Sequence, residues 1–514
     1  MSRRILVLGG GPAGVAAART AARMGAQAVL IDSGRLGGVS TNSGVLPARV
    51  LAHTARLKRE SGQLGVYGLR ATEAELDWPA ALRRLFNVVE ALHVRKEIAE
   101  EARKLGVDVH ENVGEIRFMS PTTIGFANGT TVEGDAAIVC VGGRSRSIPL
   151  PGAELAIFPN DIWRMKAMPR SIAIVGTGHT GCQIASILAH FGTEVHMIDL
   201  KARIMPQEDE LLSVVMAKEF AARGIRIRSV IDSIDGLSTG MSGSTVLHYK
   251  EAGESRSIKT DAVLLCVGWI GNTDRIGLEE LGVEIARSYI KVDKYLRTNV
   301  PKLYAAGDVT GQMMLVSGAT HEGHVAAVNA VTNAETKKVA HTLVPTGSFT
   351  DPEYGAIGMR ESQCCDAGID YETSVIWCED LTRAIIDDRT AGFCKMIADR
   401  RTHKVLGAHI VGERAVETVQ LMATIMAGGL TVEQVADLEL AFPTYSAIIL
   451  MAARDLKYKL DPEYAALYQS GMAGSPPARR CPDLLRPSDA VAPARKSPRR
   501  AALASTPCLP ASTS

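Results

Sequence analysis

Apolar positions fall in short runs that end at glycine clusters, and one arrangement occurs twice. In "ILVLGGGPAGVAAARTAARMGAQAVLID" the run Ile5–Leu8 predicts a buried strand. A glycine turn and an alanine-rich helix follow, then a second strand ending at Asp32. "SIAIVGTGHTGCQIASILAHFGTEVHMID" repeats strand, turn, helix and strand, and ends at Asp199. The acid follows the first glycine by the same 23 residues in both copies, Gly9 to Asp32 and Gly176 to Asp199.

Each turn has the form G-x-G-x-x-G: Gly9, Gly11 and Gly14, then Gly176, Gly178 and Gly181. The first glycine permits the tight turn, the second admits a pyrophosphate, and the third lets helix and strand pack closely. The helix N-terminus offers free N–H groups to the phosphates, and the acid accepts from the ribose hydroxyls. One such motif is a weak signal. Two in the same register predict two dinucleotide sites, hence a flavin and a nicotinamide exchanging hydride. Asp199 favours NAD(H), because a carboxylate repels a 2′-phosphate. Lys201 and Arg203 leave NADP(H) open, although both are expected first as solvated surface residues.

The chain's 514 residues suffice for three or four domains, and 46% hydrophobic with 22% charged residues suggests a soluble protein. A net charge of +1 argues against nucleic acid or an anionic membrane as partner. No apolar stretch is long enough to span a bilayer. Nine cysteines without C-x-x-C or metal-ligand spacing fit buried thiols in a reducing cytoplasm, and no metal site is expected.

Further motifs resemble the pyridine nucleotide–disulfide oxidoreductases over about Ile5 to Arg454. "AAIVCVGGRSRSIPLPG", with Gly142 and Gly143, resembles the segment crossing from the FAD site, and "AVLLCVGWIGNT", with Gly268, resembles the return from the NAD site. "TNVPKLYAAGDVTG" resembles the motif whose Asp holds the ribityl chain, which implies Gly307 and Asp308 for FAD. The first Rossmann unit would then bind FAD through Gly9, Gly11, Gly14, Asp32 and Gly38. The second would bind NAD(P) through Gly176, Gly178, Gly181 and Asp199. "LVSGATHEG" would open a helix pointing its N-terminus at the flavin.

The resemblance implies an α/β fold with two Rossmann-type dinucleotide-binding domains and a C-terminal α+β interface domain that builds a homodimer. The expected segments are 1–150 for FAD, 151–272 for NAD(P), 273–342 returning to the FAD domain, and 343–465 for the interface. A Pro/Ala/Arg-rich tail over 466–514 is expected to be disordered.

The departures are concentrated. The family's redox loop reads G-G-T-C-x-N-x-G-C-x-P-[ST]-K, and this chain has Ser40 and Val45 at its cysteines. Where the family has H-P-T-x-x-E, this chain has Phe442 for the His and Ala447 for the Glu. All four losses remove delivery of electrons to a disulfide, which needs a thiolate and a second sulfur. Arg49 and Gln183 replace a Lys–Glu pair that the family places beside the flavin, leaving an Arg–Gln hydrogen bond or no contact. Phe442 either lines an acceptor face with Val45 and Tyr445 or fills core. Three functions stay open: an NAD(P)H dehydrogenase with a small-molecule acceptor such as a quinone, a soluble transhydrogenase, and an FAD-binding redox-sensing or interaction protein without turnover. The transhydrogenase branch shares an aromatic before the Pro but keeps a cysteine where Ser40 stands.

Overall fold

Strand Arg4–Leu8 is the centre of a five-stranded sheet because its apolar residues are buried on both faces. Gln27–Ile31 and Ala136–Val139 flank it in parallel, with Asp108–His110 and Leu303–Ala305 outermost. Helix Pro12–Arg23 turns Ala13, Ala17, Ala18 and Ala21 inward, so small side chains bring it close to the sheet and to helix Val316–Thr332. The computed structural model describes residues 2–461 together with 463 and 465. The whole 466–514 segment, with Cys481 and Cys508, lies outside the described residues.

The second motif builds a second parallel sheet, ordered Arg226–Arg228, Glu194–Ile198, Ser171–Val175 and Ala262–Leu265. Helix His179–Phe191 follows its glycine turn, just as Pro12–Arg23 follows the first. Each sheet carries a three-stranded antiparallel appendage in sequence, Ile116–Glu133 and Ser233–Thr260.

The described chain divides into two compact units. One comprises 1–344 with Ser348–Asp351, and the other 345–347 with Pro352 onward. In the second unit, strands Tyr354–Gly358, Val405–Val411, Phe393–Asp399 and Tyr371–Trp377 pair antiparallel in that order. Helices Ala415–Ala427 and Ala447–Leu460 contribute Val419, Met422, Ile449 and Leu456 to its core. Among the described residues no helix is long and apolar enough to cross a membrane.

Candidate active site

The two glycine turns share one backbone. Gly9 and Gly176 have φ of 104° and 101°, in the region that favours glycine. Gly11 and Gly178 cap the following helices at identical angles, φ −73° and ψ −174°. A Cβ on Gly14 would stand 1.7 Å from the Gly9 carbonyl oxygen, and one on Gly181 would stand 2.2 Å from that of Gly176. Beneath the turns lie Cys140 and Cys266, whose carbonyls sit under Gly9 and Gly176.

The terminal acids also match. Asp32 Oδ2 accepts from Gly10 N at 2.5 Å and Oδ1 from Gly34 N at 2.8 Å. Asp199 Oδ2 accepts from Thr177 N at 2.7 Å and Oδ1 from Lys201 N at 2.9 Å. Burial pushes the Asp32 carboxyl up, against the two N–H groups. Arg203 departs from the expectation of a solvated side chain. It is half-buried and donates to the carbonyls of Pro206 and Glu208 and to Ser213 Oγ, which removes it from the surface.

Gly38 lies against the first turn, where its Cβ would meet Gly11 Cα at 2.9 Å, and Gly37 N donates to Gly10 O. The loop therefore runs beside the first dinucleotide turn. Asn42 secures it, donating to the Arg35 and Leu36 carbonyls while its Oδ1 meets His93 Nε2 at 2.7 Å. Ser40 Oγ donates to the Gly37 carbonyl at 3.1 Å. Val45 opens helix Val45–Ser61 and is 41% exposed.

From that helix, Arg49 donates to Gln183 Oε1 at 2.8 Å, two residues after Gly181. The same oxygen accepts from Ser348 Oγ at 3.0 Å, and the Arg49 guanidinium lies 3.7 Å over the Phe349 ring. Sequence reasoning missed Ser348 and Phe349, because no motif marks them. Asp351 completes this short strap. His190 and Arg59 approach its carboxylate at 2.8 and 2.7 Å, and Arg223 at 3.5 Å. Burial opposes the charge, but His190, Arg223 and Arg59 outweigh it and hold the carboxyl well below the usual range.

Gly307 and Asp308 follow strand Leu303–Ala305. The Asp308 carboxyl is half-buried and pushed up by that burial, and it accepts no hydrogen bond from the described residues. Fully buried Glu322, also missed, receives Gly307 N at 2.7 Å and pairs with His341 at 2.7 Å. Gly142 and Gly268 both have positive φ, 68° and 107°, with open space where a Cβ would stand. Gly143 pairs with Gly271 in a two-stranded ladder. These features fit dinucleotides: tight glycine turns at helix N-termini, an open approach at Gly178, and an available carboxylate at Asp308. Among the described residues, no group of three or more His, Cys, Asp or Glu is placed to hold a metal.

In the second unit Phe442 is 76% exposed, so it fills no core there. Ala447 begins helix Ala447–Leu460. Tyr445 donates its hydroxyl to Asp387 at 2.9 Å.

Residues 3–323 match the model of the pyridine nucleotide–disulphide oxidoreductases, and residues 344–453 match that family's dimerisation domain. The chain is 31% identical to a soluble pyridine nucleotide transhydrogenase of Pseudomonas fluorescens, over 88% of this chain and 97% of the relative. It is 29% identical to a dihydrolipoyl dehydrogenase of Haemophilus influenzae, over 88% and 94%. Among solved structures, LpdA of Mycobacterium tuberculosis superposes with a TM-score of 0.80 at 26% identity, covering 88% of this chain and 99% of that one. Members of the family use FAD and NAD(P)H, and the dimerisation-domain match supports a homodimer. The chain belongs to the pyridine nucleotide–disulphide oxidoreductases, a family of FAD-dependent enzymes.

Proposed function

We propose that this protein is a cytoplasmic NAD(P)H dehydrogenase that passes electrons to a small non-disulfide acceptor such as a quinone. The observation that carries this reading is the chemistry at 40 and 45. The Ser40 hydroxyl is tied to the Gly37 carbonyl, and Val45 presents a bare apolar surface beside a loop built like a redox loop. Among the described cysteines none forms a disulfide. Burial pushes the thiols of Cys140, Cys182, Cys266, Cys378 and Cys394 well above the ordinary range, so they are inert as replacements.

Residues 1–150 and 273–342 would hold FAD, residues 151–272 NAD(P), and residues 343–465 the dimer interface. Gly9, Gly11, Gly14, Asp32 and Gly38 would cradle FAD, with Gly142, Gly143, Gly307 and Asp308 along its length. Gly176, Gly178, Gly181, Asp199 and Gly268 would hold the nicotinamide nucleotide. FAD held by these residues would supply the redox chemistry, hydride acceptance from the nicotinamide and electron release to the acceptor. Arg49 and Gln183 join the helices that follow the two cofactor loops, which suits them to fix the approach of one cofactor to the other. Val45, partly exposed, would offer the acceptor an apolar contact.

A second reading, transhydrogenation between NAD(H) and NADP(H), is favoured by the Pseudomonas relatives that bear that name. One anaerobic experiment separates the two. The FAD-loaded protein is bleached with one equivalent of NADH, then mixed with a quinone, thio-NADP⁺ or lipoamide while the oxidised-flavin absorbance recovers. Rapid recovery with quinone alone is expected. Recovery with thio-NADP⁺ selects the transhydrogenase, and recovery with lipoamide overturns the non-disulfide acceptor. A flavin that neither NADH nor NADPH bleaches indicates a sensor without turnover.

A further inference from the structure

The duplicated turns differ at one position that bears on the second nucleotide. Both acids accept the N–H of the turn's second residue and the N–H two places after the acid itself. In the first copy that second residue is Gly10, and a Cβ there would meet Leu36 Cδ2 at 2.2 Å. In the second copy it is Thr177, fully buried, and its Oγ1 donates to Asp199 Oδ2 at 2.8 Å.

We propose that Thr177 is a specificity-determining residue: its hydroxyl fixes Asp199 in an orientation that accepts a ribose hydroxyl and rejects a 2′-phosphate. The proposal rests on the dehydrogenase reading above and narrows its donor to NAD(H).

A carboxylate has about four acceptor positions. On Asp199, Oδ2 takes two hydrogen bonds from Thr177, and Oδ1 takes one from Lys201 N. One position on Oδ1 is left, enough for a hydroxyl donor. Thr177 is itself held, because its carbonyl accepts from Met205 N at 2.8 Å and from Cys182 Sγ at 3.2 Å. Backbone N–H groups hold both oxygens in each copy, and the Thr177 hydroxyl adds a third hydrogen bond that Asp32 lacks, so swinging Asp199 aside for a phosphate breaks one more bond and charge repulsion is kept in place. Arg203 offers no compensation, since its guanidinium is engaged by Pro206, Glu208 and Ser213. Lys201 is exposed, where solvent screens its charge.

The test is calorimetric binding of NAD⁺ and NADP⁺ to the FAD-loaded protein. The wild type is expected to favour NAD⁺ by about tenfold or more, the worth of one hydrogen bond to a charged group. T177V is expected to shrink that ratio about tenfold, mainly by tighter NADP⁺ binding. T177S should keep the wild-type ratio, because it restores the hydroxyl. T177G, which copies Gly10, is the second variant should valine prevent folding, and it should behave as T177V does. Equal affinities in the wild type, or an unchanged ratio in whichever of T177V and T177G folds, would overturn the proposal. Binding of neither nucleotide would overturn both it and the dehydrogenase reading. No acceptor is present, so failure of quinone reduction alone leaves this result standing.

Discussion

At the residue scale, six glycines that look equivalent in the motif do different work. Gly14 and Gly181 face a carbonyl oxygen where a Cβ would collide, whereas Gly178 faces open space. Gly178 also has ordinary extended angles that any residue adopts. G14A is therefore expected to cost about 3 kcal/mol or more through forced backbone movement, and to lose FAD. G178A should stay within about 0.5 kcal/mol of wild type in stability, yet bind NAD⁺ more weakly, because its methyl intrudes where a pyrophosphate approaches. Thermal unfolding and flavin content check the first, and calorimetry the second. A G14A protein that keeps its flavin and its melting temperature would contradict the packing argument.

At the element scale, the strap Ser348–Asp351 joins helices Val45–Ser61 and His179–Phe191 and Arg223, the residue that caps helix Glu210–Ala222. Its anchor is Asp351, largely buried among Arg59, His190 and Arg223. Removing one partner leaves buried charge uncompensated, so D351N is expected to lose about 3 kcal/mol at neutral pH. The folded carboxyl is held below its unfolded value of about 3.9. Its stabilisation is thus complete above that value and is lost as pH falls towards the folded pKa. The melting temperatures of wild type and D351N should differ most near pH 7 and converge below about pH 4. A gap that stays constant with pH would mean the ion cluster is not what holds the strap. If the strap positions Gln183 through Ser348, D351N should also slow flavin reduction by NADH at saturating nucleotide, measured by stopped flow.

These two scales explain what was legible in the chain. The dinucleotide turns could be read because each is one continuous stretch: apolar run, three glycines, helix, acid. Their chemistry is local, and the 23-residue interval repeats it. The loss of sulfurs at Ser40 and Val45 could be read for the same reason. The strap could not. Arg59 meets Asp351 across 292 positions, and no periodicity records such a pairing; the Arg49–Gln183 hydrogen bond, across 134 positions, was one of two outcomes that the resemblance left open. Arg203 was misjudged because a cation after a strand resembles a surface residue until the loop carbonyls that capture it are seen.

At the scale of the whole molecule, the second unit matches a dimerisation domain and leaves large apolar side chains in water. Phe442 is 76% exposed, and Ile385 on helix Thr382–Ile386 is 57% exposed. Tyr445 ties the two segments together, donating to Asp387 and lying under the Arg383 guanidinium. Clustered exposed apolar residues mark an interaction surface rather than idle solvent contact. Light scattering should therefore give about twice the 54.8 kDa chain mass. F442D combined with I385D should raise the dimer dissociation constant by about thirtyfold or more, the effect expected of a central interface anchor. Sedimentation velocity across a concentration series reads that shift directly. V66D, at an exposed valine of the first unit, serves as the control for simply adding charge. Should the double variant stay dimeric while its quinone KM rises, Phe442 belongs to the acceptor's surroundings and the dimer closes elsewhere. Loss of the dimer with an intact flavin spectrum would instead show that cofactor binding is complete within one chain.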